Sequence, residues 1–222
     1  MAKKEVLTSG QKKFLAFASE ENYISEEFYL SGGTALSAFY LFHRYSEDLD
    51  FFIEKEEVNL ELIKRFIGKA KKKLNLLKVD YRGVFGIHNF FLYLPNKEIL
   101  KVDFSYYPFP RILKGLKLGE IIIDSDYDIA VNKIHTISMQ PRARDFIDIF
   151  FIIKEKKYAF QDLLKQAKIK FDWHIDPLQL GIQLLKAKGV KDYPRMIKKI
   201  NHREWQDFFM NEAKKLSKKI FE

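Results

Sequence analysis

The chain has 222 residues, 47% of them hydrophobic and 15% aromatic, and carries a formal charge of +9. That length supports one large globular domain or two small ones, with a core drawn largely from 21 phenylalanines. There is no cysteine, which excludes disulfides, thiolate metal sites and a cysteine nucleophile and suits a reducing compartment.

No stretch approaches 18 apolar residues and the amino terminus lacks an apolar signal core, so the expectation is a cytoplasmic chain without a membrane segment. The positive charge is uneven: residues 154–222 hold 17 Lys/Arg against 9 Asp/Glu, a surplus of 8. A basic region beside acidic clusters suits a polyanionic partner such as RNA or DNA. A lysine-rich solvated surface would give the same composition.

Taken in order, Thr8-Ser9 offers an N-cap for a helix through about Glu20, with Phe14, Leu15, Phe17 and Ala18 on its apolar face. Phe28–Leu30 reads as a strand broken by Gly32-Gly33, and Thr34–Phe42 as a helix opening from the glycines. Leu49–Ile53 reads as a second strand. Val58–Leu77 has the period of a long amphipathic helix with Lys64, Arg65, Lys69 and Lys71 to Lys73 outward. A three-stranded meander follows near Val79–Phe85, Phe90–Leu94 and Ile99–Ser105, with Pro95-Asn96 marking a turn.

The segment 106–126 reads as irregular, with an apolar run at Ile121–Ile123. Helices then predominate, near Asp126–Met139, Arg142–Lys154, Tyr158–Lys168, from Pro177 as a first-turn proline to Lys188, and from His202 to Ile220. The expected architecture is therefore α+β: a mixed sheet flanked by helices in residues 1–125, then an α-helical domain in 126–222.

Three carboxylates stand out. In a strand, alternate side chains share a face, so Asp48 and Asp50 project together about 6.6 Å apart while Leu49 and Phe51 point into a core. Asp103 lies within the apolar Val102-Asp103-Phe104, again where an unpaired carboxylate is expensive. Carboxylates held together need cations between them, and a hard divalent ion with oxygen ligands meets that need. Three on neighbouring strands match a pair of ions about 3.5–4 Å apart. Asp103 could instead serve as a partner for Lys101 or as a strand-end residue. The turn Gly32-Gly33 lets backbone approach a bound group and turns amides toward an anion such as a triphosphate, with Ser31, Thr34 and Ser37 adding hydroxyls. Glycines also serve such turns for steric reasons alone.

A glycine pair, a helix, an acidic-apolar-acidic strand and a later acidic strand residue resemble the polymerase-β-type nucleotidyltransferase superfamily. Within it, Gly32-Gly-Thr-Ala-Leu-Ser37 followed by Arg44-Tyr-Ser46-Glu-Asp48-Leu-Asp50 is similar to the abortive-infection toxins of the AbiEii/AbiGii type. The later Asp128-Ile-Ala-Val-Asn-Lys133 and Arg142-Ala-Arg-Asp145-Phe-Ile-Asp148 resemble that family's helical motifs. The resemblance covers about residues 28–153.

It implies an enzyme that transfers a nucleoside monophosphate from an NTP to an RNA (tRNA) or protein acceptor, with Mg²⁺ or Mn²⁺ as cofactor. A role in a toxin–antitoxin or phage-abortive-infection system follows from it, with a cognate antitoxin as partner. Asp48, Asp50 and Asp103 would be metal ligands, Lys133 would hold the nucleotide phosphates, and Asp145 and Asp148 would complete or orient the site. Ser31, Gly32, Gly33 and Thr34 would contact nucleotide, while Arg44 and Ser46 would contact it or orient the carboxylate strand. Arg142 or Arg144 could also simply pair with Asp145 or Asp148 between packed helices.

Two other readings fit the same residues: a nucleotidyltransferase fold that binds nucleotide or nucleic acid without turnover, and a metal-dependent nuclease. The full carboxylate set argues against the first, and the second leaves the glycine pair and Lys133 without a task. His43 and His88 lack metal-ligand spacing and read as loop or surface residues. Trp173 and Trp205 read as core aromatics. Lys186, Lys188, Lys191, Arg195, Lys198, Lys199 and Arg203 form a basic face suited to RNA phosphates.

Overall fold

A computed structural model of the chain describes residues 5–172, 174 and 176–220, with side chains to residue 216. It divides into two compact units, Met1–Ser125 and Asp126–Glu222. The first opens with α1 (Ser9–Ser19), where the Thr8 hydroxyl accepts from the Gln11 amide and the Gln11 side chain accepts from the Thr8 amide. This reciprocal box satisfies two of the otherwise unpaired N–H groups at the helix start. Then come α2 (Asn22–Glu27), β1 (Tyr29–Ser31) and α3 (Gly32–Ala35), which widens into a π-helical stretch, Leu36–Leu41, and ends at a left-handed Phe42.

β2 (Asp48–Ile53) follows, then α4 (Leu60–Lys73), capped by the Asn59 side chain. β3 (Lys78–Val84), β4 (Ile87–Tyr93) and β5 (Ile99–Tyr106) form the expected antiparallel meander. A short hairpin, β6 (Leu116–Leu118) and β7 (Ile121–Ile123), closes the unit. Among the described residues seven strands form one mixed sheet in the order β3-β4-β5-β2-β1-β7-β6. β2 lies at its centre, parallel to β5 and antiparallel to β1.

Alternation decides what each face of β2 does. Leu49, Phe51 and Ile53 are fully buried, while Asp48, Asp50 and Phe52 on the other face are only partly so. Behind the buried face sits an aromatic cluster centred on Phe104. Its ring stacks on Phe51 at 5.3 Å and meets Phe28, Phe66 and Phe90 edge-on at 5.4, 6.2 and 6.1 Å. Phe14 of α1 adds contacts to Phe51 and Phe66, so both helices that cover this face are tied to the sheet through aromatic rings. Edge-on and offset pairs of this kind add about 0.5–1.5 kcal/mol each beyond area burial.

The helix expected over Val58–Leu77 is shorter at both ends. Asn75 takes a left-handed φ of 53°, which ends the helix although Leu74, Leu76 and Leu77 continue its apolar period. Leu77 is left 69% exposed. The segment expected to be irregular contains the β6–β7 hairpin, because Ile121–Ile123 can add to the sheet edge beside β1.

In the second unit α5 (Asp126–Met139) packs against α6 (Ala143–Lys156), α7 (Phe160–Lys170) and α8 (Pro177–Leu185). A 3-10 turn, Lys186–Lys188, leads toward α9 (His202–Ile220). The Asp176 carboxylate caps α8, and Pro177 fills its first turn, where a missing N–H costs nothing. Trp205 is fully buried, its ring stacked 6.0 Å from Phe146, with Phe209 at 4.8 Å from the same ring. Trp173 lies outside the described residues.

Replacing Phe104 by Ala should cost about 3–5 kcal/mol of stability, the usual range for emptying an aromatic core position. Replacing the fully exposed Phe85 by Ser should leave stability within about 0.5 kcal/mol. Urea denaturation followed by circular dichroism distinguishes the two, and equal midpoints would remove Phe104 from the centre of the core.

Candidate active site

The strand register builds the first cluster. Asp50 on β2 pairs directly with Asp103 on β5, and on the other side with Ser31 on β1. Asp48 pairs with Lys101. The Lys101 ammonium lies 2.5 Å from Asp103 Oδ2 and 3.4 Å from Asp48 Oδ2, bridging two of the three carboxylates. The chain therefore supplies one of the cations that such a cluster requires. Burial pushes the Asp103 carboxyl above its ordinary value, Lys101 opposes that shift and the charge of Asp48 adds to it. Burial pulls Lys101 down, but Asp103, Asp48 and Asp50 outweigh it and its pKa is raised.

The glycine pair is required by its neighbours. Gly32 has φ +72°, and a Cβ there would overlap the Asp50 carboxylate. A Cβ on Gly33 would meet Arg44 Nη2 at 2.5 Å and Ser46 Oγ at 3.0 Å. The close approach these glycines permit is thus used by three of the sequence-selected residues themselves. Thr34 donates its hydroxyl to the Asp48 carbonyl oxygen, and Ser37 donates to the Gly33 carbonyl at 2.7 Å. Arg44 is 2% exposed and donates to the Tyr45 carbonyl at 2.9 Å. Ser31, Gly32, Gly33, Thr34, Arg44, Ser46, Asp48, Asp50 and Asp103 consequently form one neighbourhood on the β1–β2–β5 face.

Three more residues shape that neighbourhood. Lys101 had stood out only as a partner for Asp103, yet it reaches Asp48 as well. Gln11, fully buried, donates from Nε2 to the carbonyls of Ser46 and Glu47 at 3.0 and 3.1 Å, so the cap of α1 also braces the loop leading into β2. Asp124, also fully buried, accepts the Ser31 hydroxyl at 2.6 Å. The last had a visible signal, since an acidic residue after Ile121–Ile123 repeats the pattern of Asp103. His43 lies in a loop as expected but is fully buried there, not at the surface, and His88 is half-buried on β4, its Nδ1 2.9 Å from the Tyr81 hydroxyl.

A divalent ion is the group the resemblance implies here. Asp48, Asp50 and Asp103 offer an oxygen-only donor set of the type hard cations prefer. Asp103 Oδ1 is buried without a hydrogen-bond partner among the described residues, an acceptor left open on the side chain that Lys101 engages through Oδ2. Among those residues no three such side chains converge into a finished metal cage. The donor chemistry therefore suits the ion, while in this arrangement Lys101 occupies two of the three carboxylates.

The second unit holds its own cluster. Lys133 on α5 is largely buried and its ammonium lies 2.9 Å from Asp145 Oδ1 and 2.7 Å from Asp148 Oδ2 of α6. Asp145 also accepts from the Arg142 backbone and guanidinium at 3.2 and 2.9 Å. Burial would raise the Asp145 carboxyl, but Lys133 and Arg142 together hold it below its ordinary value. Both carboxylates are thus bound to cations, and the alternative of an Arg142–Asp145 pair is present alongside the Lys133 contacts. Lys198, from the expected basic face, is engaged by Glu155 at 2.7 Å, whereas Lys186, Lys188, Lys191, Arg195, Lys199 and Arg203 are exposed.

With these arrangements in view, the model of the AbiEii nucleotidyl transferase toxins of type IV toxin–antitoxin systems matches residues 17–216. The chain belongs to this family. It is 30% identical over 151 residues to an uncharacterized protein of Aquifex aeolicus, covering 67% of this chain and 68% of that one. Two solved structures share the fold. JHP933 from Helicobacter pylori superposes with a TM-score of 0.58 at 20% identity, over 94% of this chain and 90% of its own. MenT4, a nucleotidyltransferase toxin from Mycobacterium tuberculosis, gives 0.57 at 12% identity, over 94% and 84%. The AbiEii match extends well beyond the 28–153 region that carries the motifs, on both sides.

Removing Lys133 should leave two buried carboxylates short of positive charge. Lys133→Met is expected to lose about 3–5 kcal/mol at pH 7, the usual result of breaking a buried pair. Asp145's folded pKa is depressed, so its contribution in the native chain is present above the ordinary carboxylate value near 4 and is lost as pH falls through the folded pKa. In the variant, acid should instead relieve the penalty. Urea unfolding of both proteins between pH 7 and pH 3 should therefore show the gap narrowing. A gap that is constant with pH would contradict the assignment.

Proposed function

We propose that the chain is a metal-dependent nucleotidyltransferase that moves a nucleoside monophosphate from an NTP to a hydroxyl of an RNA, such as tRNA, or of a protein. The observation that carries this reading is the register of Asp50 beside Asp103, with Asp48 on the same face, at the centre of the sheet of an AbiEii-family chain. Asp48, Asp50 and Asp103 would hold Mg²⁺ or Mn²⁺, which when bound supplies charge neutralisation for the triphosphate and lowers the pKa of the attacking hydroxyl.

In the reaction the acceptor oxygen forms a bond to the α-phosphorus. The bond from that phosphorus to the oxygen bridging toward the β-phosphorus breaks, and pyrophosphate leaves with the electron pair. The acceptor proton passes to Asp103 Oδ1, the buried oxygen with no other partner among the described residues. Arg44, Ser46 and Thr34 keep β2 and the glycine turn in position. The family resemblance assigns the triphosphate to Lys133. Within its own unit that lysine is oriented by Asp145 and Asp148, whose task is then to hold it in place.

The biological setting that suits this chemistry is a toxin–antitoxin or abortive-infection system acting in the cytoplasm, where NTPs and tRNA are found, with a cognate antitoxin as partner. A fold that binds nucleotide without turnover is the second reading, favoured by Lys101, which already neutralises Asp48 and Asp103.

The two separate on one experiment. Incubation with each α-labelled NTP, bulk tRNA and Mg²⁺ should label RNA or protein in the wild type. Asp48→Ala/Asp50→Ala and EDTA should each reduce labelling by about a hundredfold or more. Equal labelling by wild type and double variant would overturn the proposal, and tight NTP binding with no labelling would establish the second reading.

A further inference from the structure

The face that carries the carboxylates does not stop at β5. In register, Asp103 lies opposite Asn89 on β4, and Asn89 opposite Arg82 on the edge strand β3. One row along, Lys101 lies opposite Phe91, and beyond it Tyr93 pairs with Lys78. Phe90 and Leu92, which alternate with these residues, are buried in the core, so Phe91 and Tyr93 turn to the opposite side, where both are half-buried.

A half-solvated sheet face ordinarily carries polar residues at such positions. Here two aromatic rings stand there instead, each beside a cation. The Arg82 guanidinium lies 5.1 Å from the Phe91 ring centre and Lys78 Nζ lies 5.2 Å from that of Tyr93. Asp80 holds Lys78 at 2.7 Å and accepts the Tyr93 hydroxyl at 2.9 Å, which fixes that ring and neutralises that lysine. Arg82 is exposed and closes no salt bridge among the described residues, so it is the cation directed outward.

Aromatic faces and an outward arginine on one strip meet the two needs of unpaired nucleic acid, stacking for bases and positive charge for phosphates. Phe91 and Tyr93 are two residues apart on one strand, about 6.6 Å, close to the step between splayed nucleotides. Asn89 stands between Arg82 and Asp103, with strands about 4.8 Å apart, so the strip runs continuously into the carboxylates.

We propose that the β3–β4 face is the acceptor platform: Phe91 and Tyr93 stack bases of a single-stranded RNA segment, Arg82 draws its backbone, and Asn89 leads its hydroxyl toward Asp103. This rests on the transfer reading only for what happens at Asp103; binding of the strand stands without it. It selects RNA over a protein acceptor.

The test is fluorescence anisotropy with a labelled 12-nucleotide single-stranded RNA of mixed sequence. The wild type is compared with Phe91→Leu, Arg82→Ala and Asp48→Ala/Asp50→Ala, all checked for folding by circular dichroism. Phe91→Leu keeps most of the apolar volume and loses only the ring. We expect each of Phe91→Leu and Arg82→Ala to weaken binding roughly tenfold, affinity to fall with salt, and a duplex of the same length to bind more weakly. Asp48→Ala/Asp50→Ala should bind at least as well as the wild type, having lost negative charge.

Wild-type affinity in both Phe91→Leu and Arg82→Ala, or preference for duplex, overturns the platform. So does nucleotide transfer to a protein with the same KM in wild type and Phe91→Leu, an outcome that leaves the transferase reading intact. Absence of transfer to any acceptor, with the expected binding losses, has the opposite meaning: the platform stands and the transferase reading falls.

Discussion

Asp50 and Asp103 stand side by side on adjacent parallel strands at the centre of the sheet, and like charges held that close repel. Nothing in strand propensity favours this arrangement, and much of the surrounding structure serves to keep it. Lys101, two residues before Asp103 and therefore on the same face, returns positive charge to Asp103 and Asp48. Gly32 leaves room for the Asp50 carboxylate, and its positive φ bends the chain into α3 at that point. Gln11 and Thr34 fix the backbone on either side of the approach to β2. The cluster is partly satisfied by the chain's own lysine, and one oxygen, Asp103 Oδ1, is left with capacity.

How much of this could be read from sequence depends on how local each cause is. The alternation in Asp48–Ile53 is a property of six consecutive residues, and period two is unmistakable when Leu49, Phe51 and Ile53 are all apolar. The same holds for Val102-Asp103-Phe104. The pairing of Asp50 with Asp103 rather than with Lys101 is a matter of register across 53 positions, and register comes from packing that no local pattern records. Lys101's second contact, to Asp48, follows from register and was out of reach for the same reason.

Gln11 completes the box behind the expected Thr8 cap, but its Nε2 contacts cross 35 positions to Ser46, which no local pattern records. The six-residue α2 was too short to leave a period. The α4 end was overrun because Leu74, Leu76 and Leu77 continue the apolar pattern past the left-handed Asn75, where backbone geometry overrules it.

The helical unit solves the same electrostatic problem differently. Lys133, Asp145 and Asp148 are nearly excluded from water, so each charge must be matched within the protein. Arg142 adds a fourth member from the edge of the cluster, where it is half exposed. A second buried pair joins Asp128, in the first turn of α5, to Lys170 at the end of α7, 2.9 Å away. Desolvated pairs of this kind contribute little net stability, and an apolar replacement of both partners is often neutral. Retention of two such sites where α5 meets α6 and α7 is therefore hard to attribute to folding energy. For Lys133 the family resemblance offers a reason, a charge whose position must be exact; for Lys170 the structure offers no more than the pair itself.

The two faces of the sheet are coupled through this geometry. Each strand that points a carboxylate, lysine or aromatic toward the candidate site points a large apolar residue into the Phe104 cluster: Asp50 beside Phe51, Asp103 beside Phe104, Phe91 beside Phe90. A slip of one residue in any strand would exchange the two sets, placing carboxylates in the core and phenylalanines in water. The cost of that exchange for β2 alone, two buried charges and three exposed apolar side chains, is far larger than any register-independent term. The aromatic core is therefore what specifies the spacing of the carboxylates, and it does so from the opposite side of the sheet. It follows that changes in the core that preserve stability but shift a strand by a fraction of its period should alter the site more than most substitutions on the polar face itself. Volume-conserving core changes, which keep the register, should leave it intact.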